Sequence, residues 1–110
     1  MPTLYITEYG NVAFLPNAGG QIPEEPPIAE QIVSIGAAAV SAVFQPKTRI
    51  VRLHCDAICS VLFGFAINAP VSSITTGSGR MIAGQTEYRG VPEHNGVPER
   101  QMQVAVIANV

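Results

Sequence analysis

Apolar residues along this chain recur at every second position or occur in short unbroken runs. The alternation is clearest in residues 49–55, RIVRLHC. There Val51, Leu53 and Cys55 fall on one side of an extended chain, and Arg52 and His54 fall on the other. A period of two is typical of a β-strand with one face buried. The pattern therefore predicts a strand whose arginine and histidine point away from the core.

Similar short segments, separated by Gly and Pro, occur along most of the chain. They cover residues 4–9, 12–15, 58–65, 81–83, 86–89 and 101–108. About eight short strands with turn residues between them indicate an antiparallel all-β domain. We predict a single domain over residues 1–110, a small antiparallel β-sandwich or jelly-roll-like fold with an extended N-terminal segment.

Residues 29–44 are open to two interpretations. The alanine-rich stretch 37–42 has good helix propensity, which favours one helix over the whole segment. Gly36 interrupts that helix, and the β-branched residues around it favour extended structure. Two strands are the preferred prediction, with a short helix as the alternative.

Residues 1–27 form either an extended arm or edge strands, and residues 28–110 form the core. For the segment that contains Tyr5, Tyr9 and Phe14, packing in the chain's own sheet is slightly preferred over an arm. Three prolines between residues 22 and 27 exclude helix and sheet interior there. If the segment is an arm, its apolar residues are candidate contacts with another chain, and truncation before Ile28 should leave the core folded. The candidate contacts are Tyr5, Tyr9, Phe14, Leu15, Ile22, Pro23, Pro26 and Pro27.

Composition indicates a protein that works by contact. Charged residues make up only 13% of the 110 residues, against about 25% in ordinary globular domains. Such a chain either hides surface against a partner or covers a tight sandwich with neutral polar groups. The net charge of −2, with six Lys and Arg, argues against nucleic acid and against an anionic membrane as partners. The N-terminus lacks a signal-peptide pattern, so folding in a reducing cytoplasm is expected.

The residues best suited to metal binding or catalysis are His54, Cys55, Asp56 and Cys59. Their side chains are typical zinc ligands, but His54 and Cys55 point to opposite faces of one strand. For the same reason they cannot act as a nucleophile and its base. We expect two buried free thiols, an exposed His94, and neither metal, cofactor nor enzymatic activity.

Several phrases of this sequence resemble small proteins of tailed bacteriophages. They are LYITEY at residues 4–9, PIAEQ at 27–31, RLHCDAICSVLFG at 52–64, MIAGQTEYRGV at 81–91 and VAVI at 104–107. The chain is similar in these phrases to the capsid decoration, or cement, proteins of short-tailed phages. The doubled Gly-Val-Pro-Glu at residues 90–99 departs from the shorter loop expected in that family.

The resemblance implies a virion protein that is assembled in the host cytoplasm and lies on the outer capsid surface. It implies the major capsid protein as partner, with neighbouring capsid subunits bridged. We expect a homo-oligomer, with a dimer favoured and a trimer as the alternative, and antiparallel self-pairing of residues 101–110 would build a symmetric dimer. The alternatives are a head–tail or tail-fibre accessory protein and, in a different class, a small-ligand-binding β-barrel.

Overall fold

A computed structural model describes residues 2–10, 12–14, 21–23 and 25–109 of the chain. Within these residues there are ten β-strands and three short 3-10 helices. The strands are β1 (Thr3–Tyr9), β2 (Val12–Phe14), β3 (Gln21–Pro23), β4 (Ala29–Ser34), β5 (Ala39–Val40), β6 (Ile50–Cys55), β7 (Cys59–Phe65), β8 (Gly79–Met81), β9 (Thr86–Gly90) and β10 (Met102–Ala108). The 3-10 helices span Ala66–Asn68, Pro70–Ser72 and Pro98–Arg100.

Eight of these strands form two antiparallel four-stranded sheets. The first sheet has the order β4-β1-β6-β9, and the second has the order β5-β10-β7-β8. One hydrophobic cluster fills the space between them. The predicted antiparallel β-sandwich is confirmed, and the narrower jelly-roll description stays a prediction.

Alternation along the strands decides which side chains enter this core. In β6, Val51, Leu53 and Cys55 are buried while Arg52 and His54 are half-buried on the opposite face, as the sequence pattern predicts. The fully buried apolar residues come from both sheets. They are Leu4, Ile6, Val51, Leu53, Cys55, Cys59, Met81, Val104, Ala105 and Val106.

The N-terminal strand lies in the middle of the first sheet. β1 pairs with β4 on one side and with β6 on the other, and Leu4 and Ile6 are 0% and 1% exposed. Residues 3–9 are therefore neither an arm nor an edge. The expectation that truncation before Ile28 spares the core is wrong, because it would remove a central strand.

A two-stranded pair follows this strand in the chain. β2 pairs with β3, so that Val12 lies opposite Pro23 and Phe14 lies opposite Gln21. β1 is not part of this pair, since its partners are β4 and β6. Among the described residues this sheet has two strands, and Pro23 fits such an edge position, where a missing N–H is tolerated.

The ambiguous segment 29–44 contains two strands and no helix, as preferred from the sequence. The second strand, β5, has only two residues, but the chain around it continues along the edge of β10. Ser41 N–H donates to Val104 O, Phe44 N–H to Met102 O, and Ala108 N–H to Gly36 O. Because β7 covers the other edge of β10, the predicted self-pairing of residues 101–110 is wrong.

Candidate functional site

The outer face of the first sheet carries side chains that the core does not use. Strand register places Ile32, Tyr5, His54 and Thr86 in one row across the four strands. The neighbouring row contains Glu30, Thr7, Arg52 and Tyr88. Side chains in adjacent strands at matching register lie within contact distance, so these two rows form a continuous patch.

An open groove of about 570 Å³ lies on this patch. Its outward-facing lining consists of Tyr5, Thr7, Glu30, Ile32, Arg52 and His54. Ile32 is 69% exposed, Tyr88 56% and Tyr5 46%. Three large apolar side chains exposed on one sheet face are typical of a contact surface.

The polar side chains of the groove differ in how they are held. His54 Nδ1 lies 2.8 Å from the Thr86 hydroxyl oxygen, and its ring lies 6.3 Å from that of Tyr5 at a tilt of 43°. Arg52 is half-buried, and no salt bridge within the described part of the chain includes it. A guanidinium in this position offers planar, paired N–H donors to an incoming carboxylate.

Two of the predicted contact residues lie on this face, with different outcomes. Tyr5 is exposed and lines the groove, so it is available to a partner. Tyr9 is only 7% exposed, and its hydroxyl bonds to Glu25. Tyr9 therefore packs within its own chain, and its interpretation as a free anchor is wrong.

The other predicted contacts lie between residues 14 and 27. Pro26 is exposed and Pro27 is half-buried. Phe14, Ile22 and Pro23 belong to the β2–β3 pair, and only their strand pairing is described. Leu15 lies outside the described residues. Among the candidates whose side chains the structure describes, Tyr5 is the one that lines the groove.

Both cysteines are free and buried, as the sequence indicates. They lie at the corner where the chain passes from β6 in the first sheet to β7 in the second. Cys55 Sγ donates to Ile82 O at 3.1 Å. Burial, followed by the neighbouring Cys55 thiol, raises the pKa of Cys59 from 9.0 to about 12. A desolvated thiol of this kind is a poor nucleophile.

We expect stability to fall in alkaline solution because of Cys59. In the unfolded chain the thiol ionises near its ordinary pKa, whereas in the folded chain it keeps its proton to a higher pH. The folded state then binds more protons, so its stability is full below about pH 9 and is lost towards pH 12, by up to about 1.4 kcal/mol per pH unit. Urea unfolding between pH 8 and 11 measures this slope.

The variant Cys59→Ala should flatten the slope while unfolding cooperatively at pH 8. Tyr9 adds to the effect, because burial and then the hydrogen bond to Glu25 raise its pKa above 10.0. Tyr9→Phe should therefore remove only the part of the loss that appears above about pH 10. A stability that stays constant from pH 8 to 11 in the parent chain would contradict this assignment.

His94 is buried, contrary to the exposed position expected from its loop. It is 4% exposed; its Nδ1 accepts the Gly96 N–H at 2.9 Å, and its Nε2 lies 2.8 Å from Phe44 O. A backbone N–H can only donate and a carbonyl can only accept, so the ring is neutral with its proton on Nε2. Through these two hydrogen bonds His94 holds the 91–97 loop against Phe44, so its role is structural.

Sequence reasoning missed most of the groove. Arg52 and His54 were assigned correctly to the outer face, but Thr7, Glu30 and Ile32 were not recognised as their neighbours. The available signal was the alternation of Ile32 with buried Val33 and of Tyr5 with buried Leu4. Strand order, which local pattern does not give, was needed to bring these residues together.

No family model, curated protein or solved structure matches this chain. Within the described ranges, no cluster of three or more His, Cys, Asp and Glu side chains is placed to hold a metal ion. No helix among the residues described is long and apolar enough to cross a membrane.

Proposed function

We propose that this protein is a structural component of a virion that decorates the outer capsid and bridges neighbouring major capsid subunits. The observation that carries the proposal is the outer-face groove, where Tyr5 and Ile32 are exposed beside Arg52. Protein interfaces are enriched in aromatic side chains and arginine. The groove has this composition.

The charge of the chain supports a contact role. Only 13% of its residues are charged, and several of the charged side chains pair with each other. Lys47 and Arg49 lie within 3.8 Å and 3.5 Å of Glu93, and Arg89 lies 2.8 Å from Glu87. Arg52 is the cation of the groove, and it would receive a carboxylate of the capsid subunit.

Decoration of a shell also suits a protein built around a rigid core. Its interior contains an apolar cluster. Every buried side-chain N or O atom among the described residues has a hydrogen-bond partner. The resemblance of several segments, residues 52–64 among them, to phage decoration proteins is the reason that the capsid is proposed as the specific partner. Stapling requires a wide contact area and no chemical step.

The proposal is tested on particles of the virus that encodes this chain. We expect mass spectrometry to find the protein at a copy number close to a simple ratio with the major capsid protein. Purified protein added back to particles that lack it should bind, and the Tyr5→Ala, Arg52→Glu double variant should bind at least about tenfold more weakly, as loss of two interface anchors implies.

The matched control for the charge reversal is Arg100→Glu, which changes an exposed arginine in the 3-10 helix Pro98–Arg100. It should bind particles like the parent chain. Absence of the protein from purified particles would refute the decoration role. Equal binding by the double variant would instead show that another surface holds the capsid. A location at the tail vertex alone would favour the head–tail accessory role.

One observation favours a second candidate, a small-ligand-binding protein. The groove volume of about 570 Å³ falls within the range of ligand sites, about 300–1,000 Å³. The fold that surrounds it is an open sheet face rather than the interior of a barrel. Copurification of a small molecule, lost in Tyr5→Ala, together with absence from particles would favour this candidate.

A further inference from the structure

The edge strands of the two sheets are β4, β9, β5 and β8. They differ in how well they are protected against pairing with another chain. β5 has two residues and β8 has three, which makes both too short to act as templates. β9 carries Glu87 and Arg89. Short length and charged side chains are the usual means by which sheet edges avoid other strands.

β4 lacks this protection. It has six residues, AEQIVS, with Glu30 as its single charge and no proline or lysine. At its centre, Ile32 is 69% exposed. A strand of this length with an exposed apolar centre favours addition of another strand.

The backbone of β4 has donors and acceptors available along its outer edge. Leu4 lies opposite Val33, and Ile35 N–H donates to Pro2 O at 2.9 Å. Backbone bonding alternates along an antiparallel strand, so the odd-numbered residues bond to β1. Glu30, Ile32 and Ser34 then direct their N–H and C=O groups away from the sheet. No hydrogen bond to these groups occurs within the described residues.

We infer that β4 pairs with β4 of a second copy, antiparallel and about a two-fold axis at Ile32. In this register Ile32 lies opposite the second copy's Ile32, and Glu30 lies opposite Ser34. A shift by two residues towards the N-terminus would place Glu30 opposite itself, and like charges directly opposite each other are unfavourable. Of these two registers, the side-chain sequence favours the one centred on Ile32, which also places the two exposed Ile32 side chains opposite each other.

This pairing would join the two first sheets into one of eight strands. Tyr5 lies beside Ile32 in the register of β1 and β4, so an apolar row Tyr5–Ile32 would continue across the axis into the second copy. The exposed Ile32 side chains would cover each other. Self-association of this kind does not depend on the capsid role, and it is measured with purified protein alone.

The test is sedimentation velocity of the purified chain from about 5 to 500 μM, since one pair of strands is a small interface. We expect a reversible monomer–dimer equilibrium. Ser34→Pro removes an outward N–H while preserving the bonds to β1, and it should weaken the dimer at least tenfold. Ile32→Lys should do the same by placing two like charges at the axis.

Each variant has a matched control. Ser34→Ala keeps the N–H and should dimerise like the parent chain. Ile67→Lys alters an isoleucine that is 68% exposed in the first 3-10 helix, and it too should dimerise normally. Far-UV circular dichroism of all four variants verifies that the fold is kept.

A cysteine at the axis tests the register directly. Opposed residues in a hydrogen-bonded pair have Cα atoms about 5.5 Å apart, within disulfide range. Ile32→Cys should therefore form a disulfide-linked dimer under mild oxidation, whereas Ile67→Cys at equal concentration should not. A parent chain that stays monomeric to 500 μM, or a dimer that Ser34→Pro and Ile32→Lys leave unchanged, would overturn the inference.

Discussion

A chain that starts at residue 11 is expected not to fold. The deletion removes β1, which supplies the central pairings of the first sheet to β4 and β6. Leu4 and Ile6, at 0% and 1% exposure, would each forfeit about 2–5 kcal/mol of core stability, against a total of about 5–15 kcal/mol for a typical domain. Far-UV circular dichroism and urea titration of the truncated chain measure the loss.

The control replaces residues 11–24 by a short Gly-Ser linker and keeps β1. Gly10 and Ile28 are close in space, since a Cβ built on Gly10 would lie 3.6 Å from Ile28 Cγ2. Residues 25–27 are kept, so a short linker has only to connect Gly10 with a segment that leads directly to this neighbour. This variant should keep its β-signal and cooperative unfolding. A folded chain lacking residues 1–10 would show that β1 is dispensable. Particle binding by the linker variant also tests the predicted contacts Phe14, Leu15, Ile22 and Pro23.

Replacement of Glu8 is expected to destabilise the protein strongly. Its side chain is 2% exposed, and its Oε1 accepts hydrogen bonds from Gln45 N and the Thr48 hydroxyl, both at 2.8 Å. Its Oε2 accepts from Gln31 Nε2 at 3.2 Å. Glu8→Ala leaves these donors without an acceptor and should cost about 3–5 kcal/mol of unfolding free energy.

Glu8→Gln keeps the size of the side chain but removes its charge and replaces one acceptor oxygen by an NH2 group. One of its amide positions must present N–H groups to donors, so we expect a smaller loss of about 1–3 kcal/mol. Glu30→Gln is the matched control, because Glu30 is exposed on the neighbouring strand, and it should change stability by less than about 0.5 kcal/mol. Urea titrations at pH 7 compare the three. If Glu8→Ala lowers the unfolding free energy by less than about 1 kcal/mol, the hydrogen bonds to the Glu8 carboxylate do not stabilise the fold as expected.

The sequence pattern predicted the strands well and their neighbours poorly. The alternation in residues 49–55 identified β6 and its two faces, because the burial of one face repeats every second residue. The prolines at positions 23, 26 and 27 left open whether the residues before them form an arm or part of the sheet. In the structure β1 pairs with β4 and β6. Pairing between strands that are distant in the sequence does not change the local periodicity of apolar residues.

The burial of polar residues was also hard to foresee. His94 lies in a Gly- and Pro-rich loop, which favours exposure, yet the loop turns inward and the ring bonds to Phe44 O. Glu8 was not singled out because a carboxylate inside a strand is unusual unless several donors surround it. Its donors come from residues 31, 45 and 48, and only the folded chain assembles them.

The positions of β1 and β10 have a consequence for the order of folding. β1 lies between β4 and β6, and β10 lies between β5 and β7, so each sheet is completed by pairing between strands that are distant in the sequence. Before these pairings form, neither sheet offers a finished layer on which the other can pack. Assembly dominated by distant pairings is slow, and we expect the two sheets to form together in one cooperative step.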